Sequence, residues 1–323
     1  MPIESPEQRV CTVVKVVVDV APAPAAAWGQ EDGSFEVRRD AEVATGPPPR
    51  QRSRAAAQSV SFVGCVRRVD ARLWVTDDHG KVTPGVAASF ASGTLRCEDA
   101  TAVLEAVQVC RRVFATPGTP QLDAGRGTVY ESVAVAHPTS RKLVASFREE
   151  VGTLEGQVAE QAAAGGLVVL DGPLRDGHPA GVVGCVKPGS LHNSNREHAE
   201  RATSLVEGRR TPLVVTTAGV YSWFLRLPLP GGPRHPWDGV VRLEVSSQLP
   251  LDEAVRTAHL VTATLPRFGP RRHLDPQSAQ HLVPVAGLKA RLGHRLGDPG
   301  LVVRRLQRAA AMTRSAADNP PDT

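Results

Sequence analysis

The chain has 323 residues, 41% of them apolar and 22% charged, with a formal net charge of +5. That length can bury a large core as one domain or two, and the composition is that of a globular protein, not a disordered or fibrous one. No apolar run reaches the roughly 20 residues of a membrane-spanning helix. The acidic start lacks the basic-then-apolar pattern of a secretory signal, so a cytoplasmic protein without membrane attachment is expected. The 5 cysteines form no C-x-x-C pair, which argues against a zinc site or a disulfide framework. The mild positive charge permits a polyanionic partner without requiring one.

In chain order, Thr12 to Val20 is a Val-rich run that predicts a strand. Ala21 to Arg54 is rich in Ala, Pro, Gly and charge and reads as loop, so residues 1–58 form an N-terminal strand and a Pro/Ala/Arg-rich segment. Ser59 to Val75 predicts a central hairpin of two short strands, and Gly85 to Leu95 a further strand of small residues. Ala100 to Phe114 is ambiguous between helix and strand, and Tyr130 to Ala136 reads as a strand. Arg141 to Ala164 carries Leu143, Phe147, Val151, Leu154, Val158 and Ala162 at three- and four-residue spacing, the apolar stripe of a helix stopped by Gly165-Gly166. Helices are expected over His192 to Leu205, Leu251 to Leu265 and Val285 to Leu296, and strands over Pro212 to Thr217, Tyr221 to Leu227 and Gly239 to Val245. Residues 301–323 read as a helix end and a polar, frayed tail. Strands mixed with helices and local hairpins predict an α/β domain on a mixed sheet over residues 59–300.

One stretch stands out. Leu167-Val168-Val169-Leu170 is a short apolar run that ends on Asp171, and Gly172-Pro173 then turns the chain. A strand buried on both faces rarely ends on an unpaired carboxylate, so Asp171 belongs at an open sheet end or beside a cation. A solvated Asp in an ordinary Asp-Gly turn is the simpler reading of these residues alone. Gly181 to Val186 follows as the next strand and ends on Lys187. On the preceding helix, Glu155 directly follows Leu154 and borders the buried stripe, where a solvated helix face is again the simpler reading.

Several blocks in order resemble the NurA nuclease family. Leu170-Asp171-Gly172-Pro173-Leu174 resembles its Asp-Gly-Pro-Leu motif, and Val183-Gly184-Cys185-Val186-Lys187 its Val-Gly-Tyr-Val-Lys motif with Cys185 in place of Tyr. Arg210-Thr211-Pro212-Leu213, Tyr221 to Leu227, Gly239 to Arg242, Leu265 to Phe268 and Asp275 to Leu288 continue the resemblance, which spans roughly Val60 to Gly297. It implies an RNase H-like mixed sheet flanked by helices with additional hairpins. It also implies a homodimeric, manganese- or magnesium-dependent DNA nuclease that works with a HerA-type hexameric ATPase in DNA end processing. Paired-metal hydrolysis of a phosphodiester needs several carboxylates from different elements, because hard cations take oxygen ligands. By resemblance, Asp171 and Glu155 are the metal-binding acids and His281 (or His273) the C-terminal ligand, while Lys187, a basic residue beside the site, suits a phosphate contact.

One position departs from the family. Its first motif, Val-Asp-Gly, aligns with Val63-Gly64-Cys65, so Gly64 stands where the first metal-binding Asp is expected. Asp70 shares a strand face with Gly64, but six residues at about 3.3 Å each place it some 20 Å away. The alternative is therefore a degenerate member of the fold, a DNA-binding or helicase-associated subunit without catalysis.

Overall fold

The computed structural model describes residues 13–19, 36–42, 56–175, 177–186, 196–269 and 282–318. Three long strands dominate: β3 (Ser59–Asp77), β4 (Val82–Glu98) and β5 (Thr101–Ala115). They form an antiparallel meander in register from Ser59↔Glu98 to Thr76↔Val82 and from Val86↔Phe114 to Glu98↔Thr101. The hairpin expected over Ser59 to Val75 is thus a single strand. Arg67-Arg68 interrupts the apolar alternation, but the backbone runs on, with a register shift between Val69 and Ala71 that leaves Asp70 as the extra residue. The ambiguous segment after Ala100 resolves as strand, because its Val, Leu and Cys side chains alternate against β4.

After β6 (Leu122–Asp123) and β7 (Val129–Ala134), helix α1 (Ser140–Ala163) crosses the sheet. Thr139 caps it by accepting from the Lys142 backbone N–H. β8 (Leu167–Asp171) then adds parallel to β3, with Val60↔Leu167 through Val63↔Leu170, and β9 (Val183–Val186) adds parallel to β8. Numbered among themselves, β3, β4, β5, β8 and β9 lie in the order 3-2-1-4-5 with only the second strand antiparallel, which is the RNase H-like arrangement. Helix α2 (Arg196–Thr203) follows, then β10 (Val214–Thr216), β11 (Val220–Arg226) and β12 (Val240–Ser246). These three extend the sheet past β9, with the β11–β12 hairpin antiparallel over its full length.

The outlying segments join the same sheet. β1 (Val13–Asp19) pairs with the far half of β3, and β2 (Val37–Asp40) pairs with β10. Helix α3 (Leu251–Thr264) and α4 (Val283–Arg295) cover one face, packing against Val60, Phe62, Val169, Val183, Leu243 and their neighbours. α1 covers the other face, against Val63, Val168 and Leu170 at one end and Val86, Phe90 and Phe114 at the other. α5 (Pro299–Asp318) is a full helix where the sequence suggests only a helix end. Val302, Leu306, Ala309 and Ala310 form an apolar stripe that seals β1 and the outer half of β3. No helix among the described residues is long and apolar enough to cross a membrane.

Candidate functional site

The register sets what can meet at the centre of the sheet. Val63 pairs with Leu170, so Gly64, inside β3, lies beside Asp171 at the end of the parallel strand β8. A Cβ on Gly64 would sit 3.8 Å from the Asp171 Cβ and 3.4 Å from the Leu288 Cδ2 of α4. Both positions therefore face α4. Asp171 ends its strand because Gly172 takes φ of 153°, a value that a side chain disfavours, and bridges to Cys185.

The Asp171 carboxylate is nearly buried, with 9% of its side chain exposed, and its Oδ2 is in direct contact with the Lys289 ammonium of α4. Lys289 thus supplies the positive charge that a strand-end carboxylate under a helix demands. α4 comes this close because two glycines lie under it. Gly64 pairs with Gly93 across β3 and β4, and a Cβ on Gly93 would be only 2.6 Å from the Ala106 carbonyl and 3.0 Å from the Leu292 Cδ2. Gly64 is the seat of Leu288.

The second acid lies elsewhere. Glu155 is buried within the α1 stripe between Leu154 and Val158, on the helix that packs against Val63, Val168 and Leu170. Those residues alternate with Gly64 and Asp171 along β3 and β8, so Glu155 and Asp171 belong to opposite faces of the sheet. The expected meeting of the two carboxylates around one cation is not met. The helical stripe correctly marks Glu155 as bordering the core, but helical spacing carries no information on which face of the sheet the helix covers. Cys65 also turns to the α1 face, where it packs with Val69 and Cys110, so it does not crowd Asp171. Lys187, His273 and His281 lie outside the described residues.

A third carboxylate was not singled out from the sequence. Glu244 of β12 is almost fully buried, accepts from the Leu174 backbone N–H at 2.5 Å and lies 3.6 Å from Arg242. Burial pushes its carboxyl above the usual carboxylate range, against the opposing pull of Arg242 and the Leu174 N–H. Glu244 holds the Asp171-Gly172-Pro173-Leu174 turn in place, with Gly184 bare beneath it: a Cβ there would lie 2.9 Å from the Glu244 Cγ and 3.0 Å from the Gly172 carbonyl. The available signal is alternation. In Val241-Arg242-Leu243-Glu244-Val245 both charged residues fall on one face, which reads as solvated until the Leu174 turn is known to cover it. Beyond that turn, Arg175 crosses α1 at Gly152 and donates to the Arg148 carbonyl at 2.9 Å.

Manganese or magnesium does not fit these residues. One oxygen of Asp171 is engaged by an ammonium, Gly64 offers no ligand, Glu155 faces away, and Glu244 is spent on a backbone N–H and an arginine. Among the described residues no group of three or more His, Cys, Asp or Glu side chains is placed to hold a metal ion.

Sheet order and site together define an RNase H-like α/β protein whose central strand end carries an internal ion pair. No protein-family model matches the chain, and no curated protein sequence matches it. Among solved structures it is similar to the NurA nuclease from Sulfolobus solfataricus, with 6% identity and a TM-score of 0.39 over 81% of this chain and 86% of that one. It is also similar to the catalytic domain of human Endonuclease V, with 15% identity and a TM-score of 0.33 over 73% of this chain and 82% of that one.

Proposed function

We propose that this chain is a NurA-like, DNA-associated subunit that does not hydrolyse DNA, acting beside a HerA-type ATPase. The observation that carries the reading is the Lys289 ammonium on Asp171, opposite Gly64. A fixed cation stands where the resemblance implies divalent ions, and the partner carboxylate is a glycine. The order of the sequence blocks supports the DNA and ATPase association.

The test is degradation of labelled single- and double-stranded DNA with manganese, comparing the native chain, Asp171→Ala and Gly64→Asp/Lys289→Ala. The native chain and Asp171→Ala should be equally silent. The double variant supplies the missing acid and removes the competing ammonium, and the space beside Gly64 admits a side chain at ordinary contact distance. It should therefore gain manganese binding, read by calorimetry, whether or not cleavage follows. Native cleavage that is lost in Asp171→Ala would refute the silent reading and restore an active nuclease.

A further inference from the structure

The geometry points to the α4–α5 corner as a docking surface for the phosphate backbone of duplex nucleic acid. Two independent observations carry this. The first is charge. Between Val283 and Ala311 the chain has six Lys or Arg (Lys289, Arg291, Arg295, Arg304, Arg305 and Arg308) and one acid, Asp298. The Asp298 carboxylate is occupied in accepting from the Leu301 N–H at 2.7 Å. Three surface arginines elsewhere are matched: Arg196 with Glu200 at 2.8 Å, Arg201 with Glu197 at 2.5 Å and Arg256 with Asp252 at 2.5 Å. Among the described residues, Arg291, Arg295, Arg304, Arg305 and Arg308 have no acidic partner. Arg295 and His294 fall in the last turn of α4, where basic residues commonly offset the helix dipole. That account does not reach Arg304 and Arg308, which lie inside α5, exposed on the side away from Val302, Leu306 and Ala309.

The second observation is that the corner is held rigidly from below. Arg68 of β3 donates to the Gly297 carbonyl at 2.8 Å and the Leu296 carbonyl at 3.1 Å, at the junction of the two helices. Its Nε donates to Asp70 at 2.6 Å, whose side chain is fully buried. Asp70 also accepts from Ser89 Oγ at 2.5 Å and Tyr130 OH at 2.8 Å. Burial and then the Asp70 charge push the Tyr130 phenol well above its usual range, so it stays protonated as a donor. A buried carboxylate with three donors, placed at the β3 bulge, holds Arg68 against the junction from which both helices run. Unpaired arginines on a preorganised edge suit a repeating, sequence-independent polyanion, because binding releases condensed counterions.

The proposal rests on the DNA-associated reading above, yet the two fail separately: native cleavage would sink that reading, and binding that ignores these arginines would sink this one. Binding of a labelled duplex by the full chain is measured by anisotropy in EDTA, so hydrolysis plays no part, over a series of salt concentrations. Arg304→Gln/Arg308→Gln should weaken binding about tenfold or more and make the slope of log affinity against log salt shallower by about 2. Arg196→Gln/Arg256→Gln removes the same net charge from paired sites and should leave both quantities unchanged. Equal affinity and slope for native and Arg304→Gln/Arg308→Gln overturns the proposal. So does equal weakening by the two double variants, or binding to phosphatidylserine vesicles in place of the duplex.

Discussion

At the scale of single residues, the site turns on a lysine and a glycine that lie 225 positions apart in the chain. Lys289 neutralises Asp171 under a helix, and part of its side chain remains in water, so the pair stabilises only modestly. Lys289→Ala leaves the nearly buried Asp171 carboxylate without its counter-charge and should cost about 2 kcal/mol in denaturant unfolding, while Asp171→Asn should cost less, since it leaves a partly exposed ammonium that water can solvate. A loss above about 3 kcal/mol for Lys289→Ala would mean that the pair is a buried core bridge and not a seated surface cation. The sequence shows Asp171 at a strand end and shows the absence of an acid at position 64. It does not show Lys289, because nothing local to Leu288-Lys289-Ala290 tells which strand end the helix covers. Glu155 fails for the same reason: a helical stripe specifies burial, and the choice of sheet face is made by connections far from it.

At the scale of elements, glycine pairs let α4 lie low on the sheet. Gly93→Ala would drive a Cβ into the Ala106 carbonyl, which is backbone and cannot swing aside, and into Leu292. The expected loss is about 2–4 kcal/mol with α4 displaced, whereas Gly64→Ala meets only ordinary contacts and should fall within about 1 kcal/mol of the native chain. Comparable losses for both would contradict the seating of α4 described above. A second element-level tie joins the 36–42 segment to the strands around β10. Glu42 accepts from both Arg210 Nη atoms at 2.7 and 3.0 Å and from the Leu213 N–H at 3.1 Å. Burial alone would raise the Glu42 carboxyl, but the Arg210 hydrogen bonds and charge outweigh it and hold the group below its usual value. A depressed carboxyl contributes stability above its unfolded value of 4.5, and that contribution is lost as pH falls through the lower folded value. Glu42→Gln should therefore cost about 1–2 kcal/mol at neutral pH and converge on the native stability in acid, as read by urea unfolding at several pH values. Strand and helix types were mostly legible from periodicity. The continuity of β3 was not, because Arg67-Arg68 looks like a turn until long pairing with β4 overrides it.

At the scale of the whole molecule, the first and last described elements, β1 and α5, meet on the outer half of the sheet. β1 pairs with β3 between Val13↔Asp77 and Asp19↔Arg72, and α5 lies over both. The compositional bias of the first 58 residues and the polar last few conceal this, since a four-residue apolar stripe within an Arg-rich segment is a weak local signal. The core beneath α5 nevertheless forms a cluster of its own, with Val16, Val18, Leu73, Val75 and Tyr130. Leu306 is fully buried there, and Leu306→Ala should cost about 2–4 kcal/mol through lost transfer energy and the cavity left behind. Met312, 71% exposed on the same helix, should change stability by less than about 0.5 kcal/mol when replaced by Ala. Truncation after Asp298 strips the whole stripe from β1 and should cost about 5 kcal/mol, an upper figure because the denatured chain already buries part of that surface. Hydrogen exchange separates local from global loss. If α5 is an integral layer, the truncation should raise exchange across β1 and the Ala71 to Asp77 half of β3, while β8 and the Val60 to Val63 half stay protected by α1, α3 and α4. Unchanged protection of β1 in the truncated chain would show that α5 is an appendage, and the α4–α5 corner would then lose the rigid base on which its arginines are presented.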